Sequence, residues 1–175
     1  MRLTRLVVGL ALLVVSLVSG QVREKTIYLP DSLGGMRYPQ CLAYNSTNNT
    51  IYVGGDYGDC VIAIDGATNQ RIARLAAGSG IYALCYNPQE NKVYCVNEDD
   101  DNVTVIDGAM NQVIATVTVG NGPRALCYNP TNNRFYCANY FSGNVTVIDG
   151  ATNQVITTVT AGDYPYALCY NPQDN

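Results

Sequence analysis

The chain has 175 residues, among them 14 tyrosines and 7 cysteines but no histidine and no tryptophan, and its net charge is −4 at pH 7. The absence of histidine excludes Ser-His-Asp and Cys-His catalysis and any His-ligated metal. The acidic balance argues against nucleic acid or an anionic membrane as a partner, because both are bound through basic surfaces.

Residues 1–20 have the pattern of a secretory signal peptide. Arg2 and Arg5 precede the apolar run Leu6–Val18, which is followed by the small residues Ser19 and Gly20. The run is shorter than the roughly 20 residues of a membrane-spanning helix. We expect cleavage after Gly20, no transmembrane segment in the mature chain, and a secreted, periplasmic or cell-surface location. An uncleaved N-terminal anchor is the alternative.

The remaining sequence is one repeat with a period of 42 residues. Ile64-Asp65-Gly66 recurs at 106–108 and at 148–150, and segments 78–119 and 120–161 are identical at 27 of 42 positions without a gap. A period of this length indicates a solenoid or a propeller.

Each repeat contains four short strand patterns separated by turn signals. In the third repeat these are Arg124–Tyr128, Arg134–Tyr140, Asn144–Ile148 and Gln154–Thr160, with Asn-Pro and Asp-Gly turns between them. The strands are rich in β-branched residues and leave no room for a crossover helix. The pattern predicts an all-β fold of four-stranded antiparallel propeller blades packed face to face.

The second strands carry the motifs Tyr52-Val53-Gly54-Gly55, Tyr94-Cys95-Val96-Asn97 and Tyr136-Cys137-Ala138-Asn139. Together with the Asn-Pro turn, the Asp-Gly turn and the period, they resemble the YVTN family of β-propeller repeats, from Tyr38 to the C-terminus. The resemblance implies a secreted or surface-layer-like propeller. It implies no particular activity, because members of this family mostly have none assigned.

The predicted organisation is a signal peptide (1–20), an N-terminal strand and lead-in (21–37), blade 1 (38–77), blade 2 (78–119), blade 3 (120–161) and the start of a fourth blade (162–175) with a strand at Tyr166–Tyr170. Closed propellers need about 4–8 blades. We therefore expect a truncated piece of a longer propeller, or a ring closed by oligomerisation. Lys25–Leu29 is a candidate strand for closing the ring.

Four cysteines occupy paired repeat positions on the first and second strands. Cys85 and Cys95 lie in blade 2, and Cys127 and Cys137 take the same places in blade 3. If Cys85 lies opposite Cys95 in the hairpin, a disulfide is possible in an exported protein. A register slip of one residue would put the two on opposite faces, where they would serve as small apolar residues. No Cys-x-x-Cys motif is present, so neither a metal nor another cofactor is expected.

The loops fall into two sets. The turns between first and second strands and between third and fourth strands are near copies of one another, whereas the other turns and the blade-to-blade loops vary. Both varied sets should project from one face, which also rims the channel. Residues on this face that could bind a partner are Tyr82, Arg124, Tyr166, Tyr140 and Phe141. The acidic turn Glu98–Asp101 is expected to be solvated rather than to hold Ca²⁺.

These observations predict an exported, non-catalytic propeller that binds a protein or surface polymer through the varied face. The alternative is a propeller enzyme, such as a lactonase-like hydrolase or a quinoprotein. Such an enzyme needs charged residues converging on the channel. Only Arg124 and the Glu98–Asp101 turn could supply them, and the sequence gives no sign that they meet.

Overall fold

The computed structural model of the protein describes residues 36–173, and this part of the chain consists of β-strands and turns. The predicted signal peptide and the predicted strand Lys25–Leu29 lie outside the described residues. None of the residues from 36 to 173 forms a helix that could cross a membrane. The strands are β1 (Arg37–Asn45), β2 (Thr50–Tyr57), β3 (Cys60–Asp65), β4 (Arg71–Ala76), β5 (Ile81–Asn87), β6 (Lys92–Asn97), β7 (Asn102–Asp107), β8 (Gln112–Thr118), β9 (Pro123–Asn129), β10 (Arg134–Asn139), β11 (Asn144–Asp149) and β12 (Val155–Thr160).

The twelve strands form three antiparallel sheets of four strands each, and within each sheet the strands are ordered as they are in the chain. We call the sheets blade 1 (β1–β4), blade 2 (β5–β8) and blade 3 (β9–β12). The first strands of successive blades lie against each other, β1 against β5 and β5 against β9. The first strand is therefore the inner edge of each blade. The predicted all-β fold with three four-stranded blades in a partial ring is confirmed.

Two structural features recur in the turns between the third and fourth strands: an Asx-turn and an asparagine with a positive φ. Asp65 Oδ1 accepts hydrogen bonds from the backbone N–H of Ala67 at 2.9 Å and of Thr68 at 2.6 Å. Asp107 and Asp149 make the same bonds in their own turns, so the predicted Asx-turns are confirmed. Each of these turns also contains an asparagine with a positive φ, a conformation that Asn tolerates better than most residues; these are Asn69, Asn111 and Asn153.

The blades pack face to face through two continuous apolar interfaces. Between blades 1 and 2 the core includes Tyr52, Val61 and Ile106. Between blades 2 and 3 the Tyr94 and Phe135 rings stack with centroids 3.7 Å apart, and both side chains are fully buried. Apolar side chains on both faces of the middle strands are what this packing requires.

Polar side chains also join the blades at the end that carries the copied turns. Asn45 Nδ2 donates to Asn91 Oδ1 of the next blade at 2.8 Å, and Asn87 Nδ2 donates in the same way to Asn133 Oδ1 at 2.8 Å. The Tyr94 hydroxyl donates to Asn153 Oδ1 at 2.6 Å. These bonds recur with the repeat, and they explain physically why the copied turns tolerate little variation.

The register of the inner hairpins supports the second alternative for the cysteines, small apolar residues on opposite faces, and not the disulfides. Cys95 lies opposite Leu84, and Cys85 lies opposite Tyr94. In blade 3 the partner of Cys137 is Leu126, and the partner of Cys127 is Tyr136. The slip of one residue places the two cysteines of each hairpin on opposite faces of the blade, and Cys85, Cys95, Cys127 and Cys137 are free thiols.

The strand predicted at Tyr166–Tyr170 is also absent from the described residues. Residues 161–173 contain bends and turns but no paired strand. A strand is defined by its ladder of hydrogen bonds to a neighbour, and β12 is the last strand assigned within residues 36–173.

Candidate functional site

One end of the blades carries both sets of varied loops, and we call it the loop face. In blade 2 the N–H of Ser79, in the loop before β5, donates to Asp100 Oδ2 in the β6–β7 turn at 2.8 Å. In blade 3 the N–H of Asn121 donates to Ser142 Oγ at 2.6 Å. The two sets of loops therefore project from the same end, as expected from the up-and-down order of the strands. We call the opposite end, with the copied turns, the turn face.

The residues selected from the sequence form one group on the loop face. The guanidinium carbon of Arg124 lies 4.0 Å from the ring centroid of Tyr140, 5.3 Å from that of Phe141 and 5.5 Å from that of Tyr82. Tyr140 in turn approaches Tyr166, with ring centroids 6.3 Å apart. All five side chains are thus joined through Arg124 and Tyr140.

The structure adds Glu98 to this group. Arg124 Nε donates to Glu98 Oε1 at 2.8 Å, and Nη2 donates to the same oxygen. The side chains of Arg124 and Glu98 are only 21% and 9% exposed, so this ion pair is largely withdrawn from water. The expectation that nothing joins Arg124 to the acidic turn is wrong, because Arg124, the second residue of β9, reaches Glu98 directly after the end of β6.

Burial and neighbouring charges shift the pKa values of Arg124 and Tyr82. Burial lowers the pKa of Arg124, but the hydrogen bond and charge of Glu98 outweigh it, so the net change is upward. Burial and the negative charges of Glu98 and Asp56 raise the pKa of the Tyr82 hydroxyl. Arg124 therefore remains a cation and Tyr82 remains neutral near neutral pH.

The acidic turn is ordered by hydrogen bonds rather than simply solvated. Asp99 Oδ2 accepts a bond from Ser79 Oγ at 2.9 Å, and Asp101 Oδ1 accepts one from the Gly122 N–H at 2.8 Å. Glu98 is buried. Asp99 and Asp100 are exposed, as expected for a solvated turn, and the carboxylates of the turn also cap the neighbouring loops. Among residues 36–173, no three acidic or cysteine side chains are grouped so that they could hold a metal ion.

The site residues occupy two equivalent positions of the repeat, and the sequence analysis recognised only one of them. The shared repeat position of Tyr82, Arg124 and Tyr166 was recognised from the sequence. A second shared position holds Asp56, Glu98 and Tyr140, and in blades 2 and 3 its side chains contact the first set across the blade boundary. The signal was available in the spacing of 42. We call these six residues the loop rim.

Tyr164 also belongs to this region and was missed as a site residue. Its ring lies 4.9 Å from that of Tyr140, and 61% of the side chain is exposed. Phe141 and Tyr166 are exposed to 57% and 66%. Large exposed aromatic side chains beside a buried ion pair form a surface suited to contact with another molecule, since Tyr, Trp and Arg dominate binding energies at interfaces.

The fold and this loop surface place the protein in the class of β-propeller proteins. Among solved structures, hydrazine synthase of Kuenenia stuttgartiensis matches 84% of this chain with a TM-score of 0.69 at 21% identity. AztD of Citrobacter koseri matches 72% of the chain with a TM-score of 0.60 at 16% identity. The WD40 repeats of RRP9 match 74% with a TM-score of 0.66 at 12% identity.

These similarities show the fold alone. The matched regions are 42%, 35% and 41% of the three solved chains, so this chain spans less than half of their length. No protein-family model matches the chain, and no curated protein matches it. The resemblance to YVTN repeats therefore stays a prediction.

Proposed function

We propose that the protein is an exported, non-catalytic propeller module that binds a protein or surface polymer through its loop face. The observation that supports this most is the continuous group of Arg124, Tyr140, Phe141 and Tyr166, whose outer rings are exposed. Tyr, Phe and Arg supply large contact areas and cation–π contacts. The WD40 repeats among the structural neighbours share this fold, which agrees with a binding role.

Binding through the loop face is tested with the fluorescently labelled full-length protein and intact cells of the source organism. We expect saturable binding that Phe141→Ala weakens by about tenfold, because one exposed aromatic anchor contributes about 1–2 kcal/mol. Met110→Thr is the matched control. Met110 is 59% exposed on the turn face, and the other two blades have Thr at this position. Equal binding by Phe141→Ala and the wild type would show that the loop face is not the contact surface.

Export is a separate part of the proposal, supported by the pattern of residues 1–20. The natural protein should be recovered from the medium, the periplasm or the cell surface with Gln21 as its first residue. N-terminal sequencing of each cell fraction provides the measurement. A protein that starts at Met1 and remains in the cytoplasm would contradict export but leave the loop-face test unaffected.

We infer that the loop rim is not an active site, because its buried carboxylate and its half-buried guanidinium neutralise each other. Glu98 Oε1 accepts both hydrogen bonds from Arg124, so the pair has no net charge with which to attract a separate ion. Hydrazine synthase, by its name, is an enzyme with this fold, so the enzymatic alternative has a direct test. Hydrolysis of simple lactones by the secreted protein, abolished by Arg124→Ala, would establish catalysis. We expect no rate above that of the buffer.

The propeller ring is proposed to be completed by further blades, either from a longer chain or from other copies. Val155, Ile156 and Val159 are 43%, 44% and 54% exposed on β12. Val159 takes the repeat position of Val117, which blade 3 buries. The mass of the natural protein, measured by light scattering together with its intact denatured mass, distinguishes the two sources. A monomer with the mass of residues 21–175 would contradict both.

A further inference from the structure

Two tyrosines on the loop face occupy backbone positions that normally require glycine. Tyr38 and Tyr164 have φ values of 49° and 56°. The same repeat position holds Gly80 and Gly122, with φ values of 68° and 64°. The left-handed conformation is unfavourable for a bulky side chain, because its Cβ atom crowds the backbone. The fold therefore requires a left-handed residue here but does not require a tyrosine.

Within residues 36–173, burial does not compensate for this strain. Tyr38 is 67% exposed and Tyr164 is 61% exposed. Their ring contacts are with other residues of the loop face, Tyr38 with Tyr57 at 5.8 Å and Tyr164 with Tyr140 at 4.9 Å between centroids. Strained residues that persist with exposed side chains point to a role in binding rather than in folding.

The distribution of charged side chains between the two faces indicates which kind of partner the exposed tyrosines could bind. The carboxylates on the loop face are Asp56, Asp59, Glu98, Asp99, Asp100, Asp101 and Asp163. The cationic residues at this end of the blades are Arg37 at the start of β1, Arg74, whose Nη2 lies 3.5 Å from the Gly58 carbonyl oxygen, and Arg124, which is paired with Glu98. The turn face is nearly balanced, with Asp65, Glu90, Asp107 and Asp149 beside Arg71, Lys92 and Arg134. The excess negative charge is thus on the face that exposes the tyrosines.

The protein itself shows how such a surface holds a cation. The Arg124 guanidinium lies over the Tyr140 ring at 4.0 Å and is hydrogen-bonded to the Glu98 carboxylate. The pair Tyr38–Tyr57, with Asp56 and Asp59 close by in sequence, combines the same two kinds of group, an aromatic face and a carboxylate. Aromatic faces next to carboxylates favour arginine and lysine side chains.

We propose that the loop face binds a basic protein segment, whose arginine or lysine side chains stack on the exposed tyrosines Tyr38, Tyr57 and Tyr164 beside the carboxylates. This inference rests on the proposed function and names the chemistry of the partner. Charge complementarity favours a basic protein over a neutral polysaccharide, because a polysaccharide would gain nothing from the excess of carboxylates.

The test uses the full-length protein and a synthetic peptide of alternating glycine and arginine. The control peptide carries citrulline in place of arginine, which keeps the shape and removes the charge. The variant is Tyr38→Gly combined with Tyr164→Gly. Both substitutions place glycine where blades 2 and 3 already have it, so the melting temperature should stay the same or rise. Asn69→Gly is the matched control, because Asn69 has a φ of 57° on the turn face.

We expect the arginine peptide to bind the wild-type protein. The wild-type protein should bind the citrulline peptide about tenfold more weakly, and the double glycine variant should bind the arginine peptide about tenfold more weakly. Asn69→Gly should bind as the wild type does. Equal affinity for the arginine and citrulline peptides, or unchanged binding by the double variant, would overturn the proposal. Binding of the neutral oligosaccharide cellohexaose instead of the arginine peptide would also overturn it.

The outcome separates this inference from the proposed function. If Phe141→Ala weakens binding to cells but the arginine peptide does not bind, the loop face binds a partner of another chemistry and only this inference fails. If neither cells nor peptide bind through the loop face, both fail.

Discussion

At the scale of single residues, the most informative positions are those where one side chain fixes a turn. The Asp149 carboxylate holds its turn by accepting the N–H of Thr152 at 2.8 Å, the N–H of Ala151 at 3.0 Å and the Thr152 hydroxyl at 2.9 Å. The backbone and side-chain bonds from Thr152 contribute most to lowering the pKa of Asp149 from 3.8. Burial opposes them, and the bond from Ala151 and the charge of Arg134 lower the pKa further by smaller amounts.

This lowered pKa predicts an acid-sensitive contribution to stability. The folded-state pKa lies below the unfolded value of 3.8, so the stabilisation is fully present above that value and is lost as the pH falls through the folded-state pKa. Asp149→Asn can keep the turn bonds but does not titrate. The variant should lose less stability than the wild type between pH 5 and pH 2, by less than about 1 kcal/mol because the site is exposed. Urea titrations at several pH values measure this, and identical slopes would contradict it.

The cysteines make a second prediction at this scale. Cys95 and Cys137 are fully buried, and desolvation raises the pKa of Cys137 to about 12 and that of Cys95 well above 9.0. Because the thiolate is the reactive form, iodoacetamide at about pH 8 should label the exposed Cys169 and spare Cys95 and Cys137 in the folded protein.

After denaturation without a reductant, mass spectrometry should find Cys85, Cys95, Cys127 and Cys137 all labelled. If these four cysteines react with iodoacetamide in denaturant only after a reductant is added, they form disulfides and the prediction of free thiols is wrong. Protection of Cys169 in the folded protein would contradict its exposure.

At the scale of the strands, one lysine joins two blades. Lys92, at the start of β6, donates from Nζ to the Gly150 oxygen at 3.1 Å, to the Ala151 oxygen at 2.9 Å and to Asn153 Oδ1 at 3.2 Å. These oxygens belong to the β11–β12 turn of blade 3, which also accepts the Tyr94 hydroxyl. A single cation therefore satisfies several acceptors at once.

Lys92→Thr should lower the free energy of unfolding by about 1–3 kcal/mol, because these charge-assisted bonds are lost while the Thr found at this position in blade 1 still suits a strand. Arg134→Thr is the matched control, since Arg134 has the same repeat position in blade 3. It is exposed, and its substitution should cost less than about 0.5 kcal/mol. Denaturant unfolding of both variants checks the prediction, and equal losses would contradict the interblade role of Lys92.

At the scale of the whole molecule, stability depends on the interfaces between blades. Phe135 is fully buried, stacks on Tyr94 of blade 2 and contacts Tyr128 with ring centroids 4.9 Å apart. In a repeat architecture each unit contacts mainly its neighbours, so damage at one interface should be local.

Phe135→Ala should cost about 3–5 kcal/mol, because it leaves a cavity between blades 2 and 3. Met110→Thr, on the exposed turn face, should change stability by less than about 0.5 kcal/mol. Hydrogen exchange of the Phe135→Ala variant should show that backbone amides lose protection first in blades 2 and 3, whereas those of blade 1 keep more of their protection. Uniform loss across all three blades would show instead that the molecule opens as one unit.

The three blades can be predicted from the sequence without a structure. The period of 42, the β-branched strands and the Asp-Gly and Asn-Pro turns are local signals, and local chemistry decides strands and turns. The five site residues were also selected from the sequence, because exposed loops at corresponding positions of a repeat must share one face.

The contacts between residues could be seen only in the folded chain. The register, which pairs Cys95 with Leu84, depends on packing across the whole hairpin and cannot be inferred from cysteine spacing. The Arg124–Glu98 pair joins residues from two blades, and the uniform turns proved to be held by interblade bonds such as Asn87–Asn133. The left-handed backbone of Tyr38 and Tyr164 was likewise invisible in the sequence, because φ at a loop position is set by the surrounding fold.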